Sequence, residues 1–155
     1  MFGFPRTVNE KAARTVAGVV AITSVIALAT GAEWLLLALA YGFIARVLAG
    51  PTLSPLAQFA TRVAAPRLGA PKEVPGPPKR FAQAIGAVIT TAGAAAYLAG
   101  TTTVADAALV LIVIAATLES VFAFCIGCQL FAGLMRIGLV PEEVCLECAN
   151  LNLRR

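Results

Sequence analysis

A chain of 155 residues that is 59% hydrophobic and only 13% charged, with mean hydropathy +0.87, is poorly suited to a water-soluble fold. A small single domain keeps much of its area exposed, so the lipid bilayer is the solvent that fits this composition. No histidine is present and the formal net charge is +4; this excludes Ser-His-Asp and Cys-His catalysis and makes Cys, Asp and Glu the plausible metal ligands.

Residues 1–10 (MFGFPRTVNE) form a polar-aromatic lead-in. Pro5 breaks helix, Asn9 is placed to act as an N-cap, and Lys11 and Arg14 follow. The apolar run beyond them is too long for a signal peptide and lacks a clean small-residue cleavage site.

Four membrane spans are expected, at about 12–30, 33–50, 81–99 and 106–131, each near the ~20 apolar residues that cross a bilayer. The link Thr30-Gly31-Ala32-Glu33 is so short that the first two spans are expected to form an antiparallel hairpin, with Trp34 at the interface. Between the second and third spans, residues 51–80 read as a linker at the membrane surface. Its first part, 52–64, has Leu53, Leu56, Phe59, Ala60 and Val63 on one side of an amphipathic helix. Its second part, 65–80, is proline-rich and basic, and reads as extended chain. The third span is rich in Gly, Ala and Thr, which let helices approach closely in lipid. Gly138 and Pro141 then mark a break before a Cys-rich tail, 136–155.

All 12 Lys and Arg residues lie near the start of the first span, near the end of the second, in the central linker or after the fourth. The two short turns carry none. The positive-inside rule therefore puts both termini and the linker in the cytoplasm. The expected architecture is an all-α, polytopic membrane protein of one domain, with four transmembrane helices as two antiparallel hairpins and N-in/C-in topology. A nucleic acid partner is not expected, because the basic residues flank apolar segments and form no soluble basic face.

Arg46 and Glu119 are charges inside spans. Each lies thirteen residues after an outer-side acid, Glu33 and Asp106 respectively, so the two sit at similar depth. An ionisable residue in lipid tends to face the bundle interior with a partner, which makes an Arg46–Glu119 pair the expectation. Snorkelling of Arg46 to the headgroups is the alternative, and Glu119 also suits a proton relay to thiol chemistry.

The four cysteines form two C-x-x-C pairs, Cys125 with Cys128 and Cys145 with Cys148, with sixteen residues between the pairs. This spacing suits a tetrathiolate metal site, most simply a structural zinc, with an iron–sulfur cluster using the same ligands. The same pairs suit redox or sulfur-transfer dithiols, because a C-x-x-C motif lowers one thiol's pKa. Ordinary buried cysteines are the third reading. Cys125 and Cys128 share a face if the fourth helix continues through them, and Gly127 gives room for a metal or a partner. On the residues alone, metal binding at Cys125, Cys128, Cys145 and Cys148 is favoured over redox use.

The segments FGFPRTVNE, LESVFAFCIGCQLF and RIGLVPEEVCLEC resemble a DUF4395-like family of small bacterial four-helix membrane proteins with two C-x-x-C motifs. Both cysteine pairs stand where that family's do. Its members are often encoded near thioredoxin-like and rhodanese-type sulfurtransferase proteins, and the resemblance implies thiol or sulfur handling at the bacterial cytoplasmic membrane. The expected function is such handling with a soluble partner of one of those kinds, with metal at the same cysteines. The alternatives are a non-enzymatic scaffold with a structural zinc site, and an oligomeric transporter of a small sulfur-containing anion. A homo-oligomer is a further expected partner, and the transporter reading requires one.

Overall fold

The structure, a computed structural model, describes residues 4–145 apart from the side chains of Glu142 and Cys145. Strand β1 (Thr7–Asn9) leads into α1 (Glu10–Thr30), and α2 (Leu35–Ala49) follows. A helical connector comprises α3 (Pro55–Phe59), a π-helical turn (Ala60–Ala64) and α4 (Ala65–Arg67). Then come β2 (Glu73–Pro75), α5 (Gly76–Leu98), α6 (Thr102–Phe122), α7 (Ile126–Arg136) and a 3-10 turn (Glu142–Cys145).

The ends of the helices follow from their residues. The Asn9 side chain accepts a hydrogen bond from the Lys11 N–H at 3.0 Å, which satisfies one of the free donors at the start of α1. α1 stops at Gly31, in the left-handed conformation, with the Ala32 N–H returned to the Ala27 carbonyl at 3.0 Å. Pro77 and Pro78 occupy the first turn of α5, where proline lacks only an N–H that has no helical partner.

α1, α5 and α6 are each long and apolar enough to cross a membrane, while α2 has 15 residues. Large apolar side chains such as Ile22, Val25, Tyr41, Leu48, Val110 and Ile114 point outward, and many of the buried residues are alanines. A face of exposed Ile, Val and Leu this extensive requires an apolar surround, and small buried residues let the helices come close. The protein is a membrane protein built mostly of helices.

α1 lies along α6, α2 lies along α5, and α5 packs on α6. α1 and α2 are therefore joined by the short turn expected of them but share little face. The inward residues of α1 (Val16, Val20, Ser24) belong instead to the α1–α6 seam. Close approach elsewhere depends on glycine: a Cβ on Gly86 would stand 2.3 Å from the Phe43 ring, which joins α2 to α5.

In the connector, Ala57 and Ala60 are buried and Leu56 packs against the core, while Leu53 and Phe59, also on the expected apolar side, are exposed. The π-helical turn adds a residue to the local period and rotates the face that follows it. The proline-rich stretch is not a free linker. Its β2 pairs antiparallel with β1, with Val8 opposite Val74, and α5 starts five residues before the expected span. Finally, the helix expected to run from 106 to 131 does not reach Phe131. It ends at Phe122, because Ala123 adopts φ 54° and its N–H bonds back to the Leu118 carbonyl. The chain then turns and restarts as α7 with Cys125 at the N-cap.

Candidate functional site

The starts of α1 and α5 and the ends of α2 and α6 gather at one end of the bundle, here called the basic end. The buried faces explain what arrives there. On α2 the inward stripe is Leu36, Leu39, Phe43 and then Arg46. On α6 Ala105, Ala108, Ile112 and Ala116 are buried, and Glu119 is next at helical spacing. On α5 Gly93, Thr90 and Gly86 are buried, and the same spacing runs back to Gln83 and Lys79. Three inward stripes thus change from apolar to polar at the same end.

Their polar groups pair in an order that sequence did not foresee. Glu119 forms its ion pair with Lys79, and both side chains are largely shielded from solvent. Arg46 is not its ion-pair partner. The Arg46 Nε donates instead to Gln83 Oε1 at 2.7 Å, and its guanidinium lies 4.6 Å from the centre of the Phe43 ring. Arg46 is only 5% exposed, so it does not snorkel outward either. Both Arg46 and Glu119 line one partly open cavity of about 240 Å³. Lys79 was missed because residues 76–80 read as linker, and Gln83, already inside the expected third span, was not singled out. The Pro-Pro start and the 79–83–86–90–93 spacing are the signals that would have placed Lys79 on the helix and Gln83 on its inward stripe.

Other basic residues at this end cap helices. Arg14 donates from Nε to the Ser120 carbonyl at 3.0 Å and from Nη2 to the Val121 carbonyl at 3.2 Å, at the C-terminus of α6. Arg80 donates to the Val47 carbonyl at 3.0 Å near the end of α2. Cations there meet the unsatisfied carbonyls and the negative end of each helix dipole.

The left-handed Ala123 swings α7 back onto the start of α5. Phe131 meets Phe81 at 5.7 Å between ring centres. A Cβ on Gly127 would stand 2.5 Å from Ala82, so this glycine serves helix contact and not the expected approach of a metal or partner. The turn puts Cys125 at the N-cap of α7 and Cys128 in its first turn. Cys125 is buried and lines the same cavity, Cys128 is half-buried, and both are free thiols.

Their environments separate the two thiols. Hydrogen bonding from the Cys128 thiol, the Lys79 ammonium and the Cys128 backbone N–H favour the Cys125 thiolate. Together they hold its pKa below the ordinary thiol range, against burial and the Glu119 carboxylate. The same thiol–thiol hydrogen bond, with burial, pushes Cys128 up. The thiol–thiol hydrogen bond thus favours the thiolate on Cys125 over that on Cys128.

The second cysteine pair does not enter this geometry. Cys145 closes the 3-10 turn by its backbone, its side chain lies outside the described atoms, and Cys148 lies outside the described residues. Among the described residues no three of Cys, Asp and Glu converge as ligands for a metal ion.

The family model for DUF4395, a domain of unknown function, matches residues 8–136. The chain belongs to the DUF4395 family. The matched DUF4395 region runs from β1 to the end of α7, and so contains Arg46, Lys79, Glu119 and the first cysteine pair. No curated protein and no solved structure matches the chain.

Proposed function

We propose that this DUF4395 protein handles thiols or sulfur at the bacterial cytoplasmic membrane, with Cys125 and Cys128 as its working dithiol and a soluble thioredoxin-like or rhodanese-type protein as its partner. The observation that carries the reading is the thiol pair at the N-terminus of α7, with unequal acidities set by their mutual hydrogen bond and by Lys79. A helix N-terminus and a nearby cation are general means of stabilising a thiolate.

The exposures suggest the order of exchange. A thiolate of the partner attacks the Cys128 sulfur of a Cys125–Cys128 disulfide, because Cys128 is the more accessible of the two. The S–S bond breaks and Cys125 leaves as the thiolate, the better leaving group of the pair. The partner's second thiolate then attacks the mixed disulfide and releases Cys128. Two electrons pass to this protein, and the partner ends as its disulfide.

In this reading α2 is the fourth span. Its 15 residues extend ~22 Å, and Trp34 before it and Arg46 near its end lie towards the interfaces. Both termini and the connector face the cytoplasm, since the turns after α1 and α5 contain no Lys or Arg.

The test is to equilibrate the purified protein in mild detergent with glutathione redox buffers and map thiols by mass spectrometry. Zinc and iron content is measured on the same sample. A Cys125–Cys128 disulfide that reduced thioredoxin reopens is the expected result. Thiols that stay reduced across the series, with one zinc per chain released only by chelator, would replace the dithiol by a structural metal site.

A further inference from the structure

The partly open cavity contains a charge that the ion pairs do not use. Glu119 is paired with Lys79; its charge also acts on Arg46 through space, but among the described residues no carboxylate lies within ion-pair distance of the Arg46 guanidinium. Its Nε is bound to Gln83, but Nη1 and Nη2 have no hydrogen-bond partner there, and neither does the amide nitrogen of Gln83. Arg46, Gln83, Glu119 and Cys125 line the same cavity of about 240 Å³, whose remaining walls are mostly apolar. A guanidinium that no carboxylate contacts directly presents a planar fork that matches an oxyanion.

A second cavity, of about 400 Å³, lies towards β1 and the connector, and Arg46 and Gln83 line it as well. The Arg46–Gln83 hydrogen bond thus stands between the two spaces. Lys79 and Glu73 line this second cavity, so one cation and one acid flank the approach and a further cation waits at the partition.

We infer that the Arg46 guanidinium, with the Gln83 amide, binds a small oxyanion in the cavity that Cys125 lines. The ligand class is set by the space and the donors: an anion of the size of sulfite or sulfate, held by the Nη edge and entering from the second cavity. This deepens the proposed function, on which it rests for the role of Cys125, by giving the buried thiol a ligand small enough to reach it.

The experiment uses the full chain in detergent, with sulfate as an unreactive probe and ionic strength held constant with sodium HEPES. Modification of Cys125 by methyl methanethiosulfonate is followed by peptide mass spectrometry. Sulfate is expected to slow it saturably, by about tenfold, as one charge-assisted contact supplies. The protection should be lost in Arg46→Gln and weakened in Arg46→Lys, which keeps the charge but not the fork. Retained helicity shows that each variant is folded. Absence of saturable protection in the unmodified protein, or equal protection in Arg46→Gln, overturns the anion site. Disulfide formation by Cys125 and Cys128 in the glutathione series is read separately. A working dithiol without sulfate binding sinks only this inference, and sulfate binding beside inert thiols sinks only the dithiol function.

Discussion

The two ends of this bundle are built on opposite principles. At the far end, Ala27, Leu36, Ala105 and Leu109 are all 0% exposed, and a Cβ on Gly93 would stand 2.6 Å from the Ala108 methyl. At the basic end the same helices enclose a cavity lined by Arg46, Glu119 and Cys125. One end maximises dispersion contacts between small residues, which is how helices associate in lipid. The other gives up that contact to hold charges and thiols. Stability and chemistry are thus separated along the bundle axis, and substitutions at the two ends should have different signatures.

The largest effect is expected from the ion pair. Lys79→Met removes the cation in direct contact with the shielded Glu119 and should cost about 3 kcal/mol, while Lys79→Met with Glu119→Leu should recover most of it. Thermal unfolding in detergent checks both, and a double variant as unstable as the single one would show that the pair is not what matters. Next comes Gly93→Val at the far end, which forces Ala108 and Leu36 apart and should cost about 2 kcal/mol. That variant should leave thiol reactivity at the basic end unchanged in whatever fraction remains folded.

A pH profile sharpens the contrast chemically. Cys125 is held below the ordinary thiol range, so at a given pH more of it is thiolate, and its alkylation should persist to lower pH than that of a free thiol. Cys128, pushed the other way, should stay unreactive over that interval. Cys128→Ala and Lys79→Gln each remove an influence that lowers the Cys125 pKa, so both should move its midpoint upward; an unchanged midpoint in both would break the assignment.

Two smaller effects concern the helix end that creates the site. Arg14→Ala removes the bonds to the Ser120 and Val121 carbonyls and should cost about 1 kcal/mol. Ala123→Gly relieves a left-handed alanine and should gain about 0.5 kcal/mol. A loss there would mean that the Ala123 methyl contributes packing that outweighs its strain.

Much of the membrane architecture was legible because hydrophobic length and charge position act locally. The turn at Gly31, the N-cap at Asn9 and the apolar character of the helices follow from neighbours within a few residues. Arg46 was visible as an anomaly in its span, but its partner was not. Its side chain bonds Gln83, 37 residues later, and no local rule pairs them. The break after α6 was hidden for a different reason: Ala123 has good helix propensity, and only the docking of Phe131 and Gly127 on α5 makes its left-handed conformation worthwhile. The β1–β2 ladder is three residues a side, too short for an alternating pattern to register.

By itself, then, the sequence determined that this chain suits a membrane, that its helices are apolar and rich in small residues, and that its candidate reactive groups are cysteines and a few charges within apolar helices. Those properties are sums over local composition and spacing. The tertiary structure alone decided that Lys79 pairs with Glu119, that Arg46 bonds Gln83 beside a cavity, and that Cys125 begins a helix instead of continuing one. Each of these depends on which helix faces come together, and that is fixed by packing between residues far apart in the chain.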